Sequence, residues 1–327
     1  MCGVRTLILA GLICWLPYVA SAAELEPESI NSAELSADIP DDSNIHAVTI
    51  KAQVLLDRAG FSPGEIDGKL GQNAKKALRA FAEINNISFN SILTGEVWAK
   101  LKETASAPVL TTYKISAEDV KGPFTSRIPT KMEDMKDLPA LNYRNPQEAI
   151  AEKFHMSEEL LKALNPKTRL DQIGQTITVA GVISRKLESV VRLEVDKTQQ
   201  TVRAYTKVGA LAAFYPASIG SEEKPTPSGT LRVMVVRPNP TYRYNPDYKF
   251  KGVKSKSAFT IKPGPNNPVG SIWIEVSGDG YGIHGTPEPA KVSKTESHGC
   301  VRLTNWDAQS LGSAVKRGVP VKFIDGT

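Results

Sequence analysis

The sequence predicts a multidomain α+β protein with a small three-helix N-terminal bundle, a mixed middle region and a mostly antiparallel, β-sandwich-like domain. Its 327 residues exceed what one hydrophobic core usually organises, which indicates two or three domains. Helix-like apolar spacing begins near residue 48, and strand-like alternation replaces it from Leu187 onward. Hydrophobic residues at 41% and charged residues at 23% are typical of a globular protein.

The first 22 residues have the pattern of an export signal. Arg5 precedes an apolar run from Leu7 to Leu16, and the small residues at 20 to 22 form a cleavage site. The run is shorter than the roughly 20 apolar residues that a membrane-spanning helix needs. We therefore expect an exported protein, located in the periplasm or the cell wall after cleavage, whose mature chain has no transmembrane segment.

Residues 23 to 46 are predicted to be an acidic, disordered leader. Between residues 23 and 50 the chain has seven Asp or Glu and no Lys or Arg, although its overall net charge is +5. A basic body suits an anionic polymer, and in an exported protein this favours cell-wall components over nucleic acid. The alternative is that the excess positive charge only solvates the surface.

Residues 47 to 104 are predicted to form the helical bundle. VTIKAQVLLDRAGF and QNAKKALRAFAEINNI have helical apolar spacing, and TGEVWAKL adds a third helix with Thr94 as N-cap. The stretch GFSPGEIDGKLGQNAKKALRAF resembles the peptidoglycan-binding domain family. This resemblance covers residues 48 to 102 and implies a module that anchors the protein to the cell wall.

Residues 105 to 184 are predicted to be a linker followed by a small mixed module. ETASAPVLTT, at 103 to 112, is rich in Thr and Ala and indicates a linker. TYKISAEDV and IGQTITVAG indicate strands that flank two helices, the second capped by Ser157. This order resembles a LysM carbohydrate-binding module with an insertion at 121 to 145, which implies glycan binding. A structural connector without a ligand is the alternative.

Residues 185 to 327 are predicted to form the β domain, which contains the window GYGIHGTPEPAKVSKTESHGCVRL. Cys300 is the only cysteine outside the predicted export signal, so the mature chain has no internal disulfide. A thiol becomes a nucleophile when a neighbouring imidazole takes its proton, and both His284 and His298 are candidates. Gly299 permits the backbone angles with which amides form an oxyanion hole.

Two other interpretations of this window remain open from the residues themselves. Cys300 is a buried structural cysteine in one, and in the other it ligates zinc together with His284 and His298. A further alternative is a non-catalytic wall-binding protein, in which the N-terminal modules carry the function. These residues alone also do not decide which histidine is the base.

The window resembles the active-site signature of the L,D-transpeptidase catalytic domain of YkuD type. KPTPSGTLRV, PGPNNPVG and GYGIHGT resemble further segments of that family, so the resemblance covers about 140 residues. It implies that Cys300 is the nucleophile and His284 the general base, with the ring oriented by backbone near Gly285. The residues that it implies in supporting and oxyanion roles are Ser297, His298, Gly299, Arg302 and Gly285.

The implied reaction is acyl transfer from a peptidoglycan tetrapeptide stem, with no cofactor and no metal. Cys300 attacks the carbonyl before the terminal D-Ala, releases D-Ala and keeps the acyl group as a thioester. A stem amine then gives a 3-3 cross-link, a protein amine gives a wall-anchored protein, and water gives L,D-carboxypeptidase activity. The partners are therefore stem peptides and glycan strands, and carbapenems are expected to acylate Cys300.

An aromatic and basic segment precedes the PGPNNPVG loop. NPTYRYNPDYKFKGVKSK places Tyr242, Tyr244 and Tyr248 among Arg and Lys residues. We expect these residues to form a lid over the active site, and a plain surface loop is the alternative.

Overall fold

The computed structural model describes residues 25–36, 44–90, 93–183, 187–220, 226–248, 253–278, 280–295 and 299–325. The predicted export signal lies outside these residues. Within these ranges no helix has the length and apolar character that crossing a membrane requires.

The N-terminal region contains the predicted bundle. Its helices are α1 (Pro27–Asn31), α2 (Ala47–Ala59), α3 (Gln72–Ile84) and α4 (Gly95–Lys102). The Thr94 side chain accepts a hydrogen bond from the Val97 amide at 3.3 Å, which confirms the predicted cap of α4. Helix α2 is followed by the capping residue Gly60, whose φ of 88° is a left-handed conformation that glycine adopts without strain.

The prediction of a disordered acidic leader is wrong for residues 25 to 36. Ile30 in α1 is fully buried, and the Asn31 side chain exchanges two hydrogen bonds with the Leu110 backbone. Glu34 accepts a hydrogen bond from Trp98 Nε1 at 3.0 Å and forms an ion pair with Lys102. A single buried apolar side chain and specific polar contacts order a segment whose composition alone indicates disorder.

The middle region has the predicted strand, helix, helix, strand order with two extra short helices. Its elements are β1 (Leu110–Lys114), α5 (Ala117–Lys121), α6 (Met132–Met135), α7 (Pro146–Lys153), α8 (Glu158–Leu164) and β2 (Thr176–Ala180). Strands β1 and β2 pair antiparallel, and Ser157 caps α8 as predicted by accepting from the Leu160 amide.

The predicted linker is shorter than expected. Val109 and Leu110 are each only 2% exposed, because β1 begins at Leu110 and pairs with β2. Arg58 of α2 donates hydrogen bonds to the carbonyl oxygens of Ala107, Pro108 and Gly181, which ties the segment to the bundle. The bundle and the middle region share one hydrophobic core, and the predicted boundary between them stays a prediction.

The β domain is built on one continuous sheet. Its elements are β3 (Arg192–Asp196), β4 (Thr201–Tyr205), β5 (Leu211–Pro216), β6 (Ser218–Ile219), β7 (Gly229–Pro238), β8 (Tyr242–Tyr244), β9 (Phe259–Ile261), β10 (Ile272–Val276), β11 (Gly282–His284), β12 (Val301–Arg302), α9 (Asn305–Ala314) and β13 (Pro320–Ile324). Among the described residues the sheet has the order β5-β4-β3-β13-β7-β10-β11-β12-β6. The β3/β13 and β11/β12 pairs are parallel and the others antiparallel.

The strand pairing is mostly antiparallel, as predicted, and one hydrophobic core contains side chains from both halves of the domain. Strand β7 is ten residues long, and its first part pairs with β13 while its second part pairs with β10. A strand that belongs to both halves of the domain joins them into a single sheet. Local alternation predicts the strands, but it carries no information about which strand is shared.

The bundle covers one edge of this sheet. Phe61 follows α2 and stacks on Phe214 of β5, with ring centroids 6.5 Å apart. The Phe214 backbone accepts from the Ser62 amide and donates to the Gly60 carbonyl, both at 2.9 Å. An open strand edge invites pairing with other chains, and these contacts occupy the edge at Phe214.

Candidate active site

Two short neighbouring strands bring the predicted histidine and cysteine together. Strand β11 ends at His284, and β12 begins directly after Cys300. The strands pair in parallel, with Ile283 opposite Val301 and His284 opposite Arg302. Residues 16 positions apart in the sequence thus reach adjacent strands of one sheet.

The backbone fixes the protonation form of the buried His284 ring. Its Nδ1 lies 2.6 Å from the Gly285 carbonyl oxygen, which can only accept a hydrogen bond. In the neutral ring Nδ1 therefore carries the proton, and Nε2 is the atom able to accept one. The ring also stacks on Trp273, with centroids 5.6 Å apart and planes 19° apart.

The electrostatic surroundings keep His284 neutral. Burial, together with the nearby charge of Arg302, lowers the pKa of His284 to about 3, although the hydrogen bond to Gly285 acts in the opposite direction. The imidazole is consequently uncharged at neutral pH, which is the form that a general base requires.

Cys300 is half-buried and is not part of a disulfide. Its Sγ lies 3.6 Å from the Gly280 carbonyl oxygen. The preceding Gly299 has a φ of 87°, a left-handed conformation that other residues rarely adopt. Ser297 and His298 lie outside the described residues, so the predicted oxyanion hole stays a prediction.

Arg302 connects the cysteine and histidine electrostatically. Burial lowers the pKa of its guanidinium, and the negative charges of Glu288 and of an ionised Cys300 raise it. Its positive charge therefore favours the thiolate form of Cys300 while it disfavours protonation of His284.

Sequence reasoning missed Asn305, which packs against the backbone beside His284. Its Oδ1 accepts from the Ser271 amide at 3.0 Å, and its Nδ2 donates to the Pro265 carbonyl oxygen at 3.1 Å. A Cβ atom added to Gly285 would lie 2.2 Å from Asn305 Oδ1, as would one added to Gly270. The glycine after His284 is the one signal in the sequence, because this close approach excludes a larger residue.

The predicted lid is only partly described. Strands β8 and β9 form an antiparallel hairpin, in which Tyr244 is 1% exposed and stacks on Phe259 at 4.7 Å. The Tyr244 ring therefore packs within the hairpin, and the lid role of this segment stays a prediction. Tyr242 is half-buried. The Tyr248 side chain and residues 249 to 252 lie outside the described part.

The zinc alternative involves His298, which is not among the residues that the structure describes. Among the described residues, no group of three or more His, Cys, Asp or Glu side chains is arranged to hold a metal ion. His298, the third ligand of that alternative, is outside them.

Comparisons with known proteins point to one family. The model of the L,D-transpeptidase catalytic domain, YkuD, matches residues 191–323. A Bacillus licheniformis protein named as the L,D-transpeptidase YkuD is 29% identical over 179 residues, which cover 54% of this chain and 92% of that protein. The Bacillus subtilis protein of that name is 26% identical over 53% of this chain and 90% of its own length.

A crystal structure of L,D-transpeptidase 3 from Mycobacterium tuberculosis aligns with 47% of this chain and 72% of that chain, at 19% identity and a TM-score of 0.35. The family model and the two Bacillus relatives carry the assignment, and the matched region contains both His284 and Cys300. Residues 191–323 of this chain therefore form a catalytic domain of the YkuD family of L,D-transpeptidases.

Proposed function

We propose that this protein is a peptidoglycan L,D-transpeptidase in which Cys300 is the nucleophile and His284 the general base. The observation that carries the proposal is the parallel pairing of β11 with β12, beside a neutral imidazole whose Nδ1 proton is held by Gly285. The match of residues 191–323 to the family supports the reaction class.

The first half-reaction forms a thioester. Nε2 of His284 takes the proton from Cys300 Sγ as sulfur attacks the carbonyl carbon between the third stem residue and the terminal D-Ala. Backbone amides around Gly299 hold the oxyanion of the tetrahedral intermediate. The C–N bond then breaks, and the imidazolium gives its proton to the departing D-Ala amine.

The second half-reaction transfers the acyl group. An acceptor amine attacks the thioester carbonyl, His284 takes one of its protons, and the Cys300 thiolate leaves and is reprotonated. A stem amine as acceptor gives a 3-3 cross-link, and a protein amine gives a wall-anchored protein. With water as the acceptor, the same steps release a stem that is one residue shorter. This L,D-carboxypeptidase activity is the second function that the site chemistry allows.

We also propose that the protein is exported and that its N-terminal regions hold the catalytic domain at the cell wall. The peptidoglycan-binding and LysM resemblances support this role. A cavity of about 1040 Å³ lies where the bundle, the middle region and the β domain meet. Its lining includes side chains of both charge signs, such as Glu65, Arg144 and Lys294, which suits a stem peptide that carries amines and carboxylates.

The test is incubation of the protein with a disaccharide-tetrapeptide, with and without a second stem as acceptor. We expect release of D-Ala by the wild type and none by Cys300→Ala, and mass spectrometry of the products identifies the acceptor. Release by Cys300→Ala, or a wild type that releases no D-Ala, would contradict the proposal.

The depressed pKa of His284 gives a separate prediction. Since the folded pKa is about 3 rather than 6.5, the ring stays neutral from pH 8 down to pH 5. We expect its NMR signals to remain unchanged over that range, with Nδ1 protonated throughout. Signals are assigned by their loss in His284→Gln, and an inflection near pH 6.5 would show that burial does not control the ring.

A further inference from the structure

Helix α7, which lies outside the catalytic domain, contacts Asn305 beside the candidate active site. Glu152 lies in α7 of the middle region, before the family match begins, and is 8% exposed. Its two carboxyl oxygens lie 3.2 and 3.0 Å from Asn305 Nδ2. The Tyr143 hydroxyl also donates to it, at 3.3 Å.

Asn305 has little freedom once its partners are counted. Its Oδ1 accepts a hydrogen bond from the Ser271 amide. Its Nδ2 carries two protons, and each of them needs an acceptor in this buried site. The acceptors are the Pro265 carbonyl oxygen and the Glu152 carboxyl group. Removing Glu152 leaves a buried N–H group without a partner, which favours rotation of the amide.

The same Asn305 side chain contacts the residue that orients the catalytic ring. Its Oδ1 occupies the space where a Gly285 Cβ would lie, and the Gly285 carbonyl oxygen accepts from His284 Nδ1. The contacts therefore run from Glu152 through Asn305 and Gly285 to His284.

We propose that Glu152 is a positioning residue for His284, supplied to the active site by the middle region through Asn305 and Gly285. This inference rests on the proposed function. It means that the middle region completes the catalytic domain, in addition to any binding role at the wall.

The protonation of Glu152 suggests a conservative variant. Burial, together with the charges of Glu148 on the same helix and Glu65 of the bundle, raises the pKa of Glu152 to about 8, although hydrogen bonds from Asn305 and Tyr143 act in the opposite direction. The carboxyl group is therefore mostly neutral at pH 7. Glutamine keeps that neutral shape and an acceptor oxygen for Asn305.

A matched control removes a different contact between the N-terminal regions and α9, the helix that contains Asn305. Ser62 of the bundle donates a hydrogen bond to Asp307 Oδ2 at 2.7 Å, two residues from Asn305 in α9. Ser62→Ala weakens docking of the N-terminal regions without altering the contacts of Asn305 or Gly285.

The experiment measures acylation of the full chain by a carbapenem at pH 7, together with histidine NMR. We expect Glu152→Ala to lower the second-order rate by about 10- to 100-fold, because small misplacements of reacting groups have effects of that order, and to shift the His284 Nδ1 signal. Glu152→Gln and Ser62→Ala should stay within about threefold of wild type. Glu152→Met, which fills the space without an acceptor, replaces Glu152→Ala if alanine prevents folding and should show the same loss.

Two results would overturn the inference. One is a folded Glu152→Ala or Glu152→Met protein that is acylated at the wild-type rate. The other is an equal loss in these variants and in Ser62→Ala with an unchanged His284 signal, which would mean that Glu152 only holds the regions together. A wild type that is not acylated would instead contradict the proposed function itself.

Discussion

His284→Gln is expected to lower the rate at which a carbapenem acylates Cys300 by about 10²- to 10⁴-fold, the usual contribution of a general base. Glutamine retains a polar side chain of similar reach but cannot take a proton from sulfur. The effect should be this large because the ring is neutral and its tautomer is fixed by Gly285. The loss is measured as the rate of adduct formation by intact-protein mass spectrometry.

His155→Gln is the matched control for that substitution. His155 is a half-buried histidine that pairs with Asp57 at 2.9 Å and stacks on Trp306. Its contacts lie between the bundle, the middle region and α9, away from Cys300. We expect the control to retain the acylation rate within a few fold even if its stability falls. A His284→Gln protein that reacts as fast as the control would exclude His284 as the base.

Gly264→Ala is expected to destabilise the protein by more than about 3 kcal/mol, the range of severe backbone and packing defects. Gly264 has a φ of 144°, and an added Cβ would lie 2.0 Å from the Leu141 carbonyl oxygen, a backbone atom that cannot move aside alone. The Leu141 amide donates a hydrogen bond to the Pro263 carbonyl oxygen, and the Leu141 carbonyl oxygen accepts one from the Asn266 amide. The substitution therefore separates the middle region from the loop beside Asn305.

Gly209→Ala separates this clash from backbone strain alone. Gly209 has a φ of 83°, but an added Cβ would meet nothing within 4 Å. The cost of a left-handed alanine is about 1–2 kcal/mol, so we expect a small decrease in stability and an unchanged acylation rate. Thermal and urea unfolding compare the two variants. Equal losses would mean that the contact between Gly264 and Leu141 contributes nothing.

Local patterns in the sequence predict many of the elements but fewer of their connections. The cap at Thr94 and the cap at Ser157 follow from residue type and spacing, and both are observed. Helix α1 is folded because Ile30 is buried against residues distant in the sequence. The acidic composition of this segment does not reveal that contact. The joining of the sheet through β7 is likewise a long-range pairing that alternation cannot specify.

The candidate site shows the same division. His284 and Cys300 stand in one recognisable window, and strand pairing brings their segments together. Asn305 and Trp273 have no such signature, because their roles depend on which backbone groups and rings they meet after folding. Glu152 is farther still in the sequence, and only the docking of α7 brings it to Asn305.

The central claim is that Cys300 is the acylated nucleophile of this domain. The most direct measurement is the intact mass of wild type and Cys300→Ala after exposure to a carbapenem. The account predicts one covalent adduct on the wild type, located on Cys300 by peptide mapping, and none on the alanine variant. An unmodified wild type, or an equal adduct on Cys300→Ala, would contradict it.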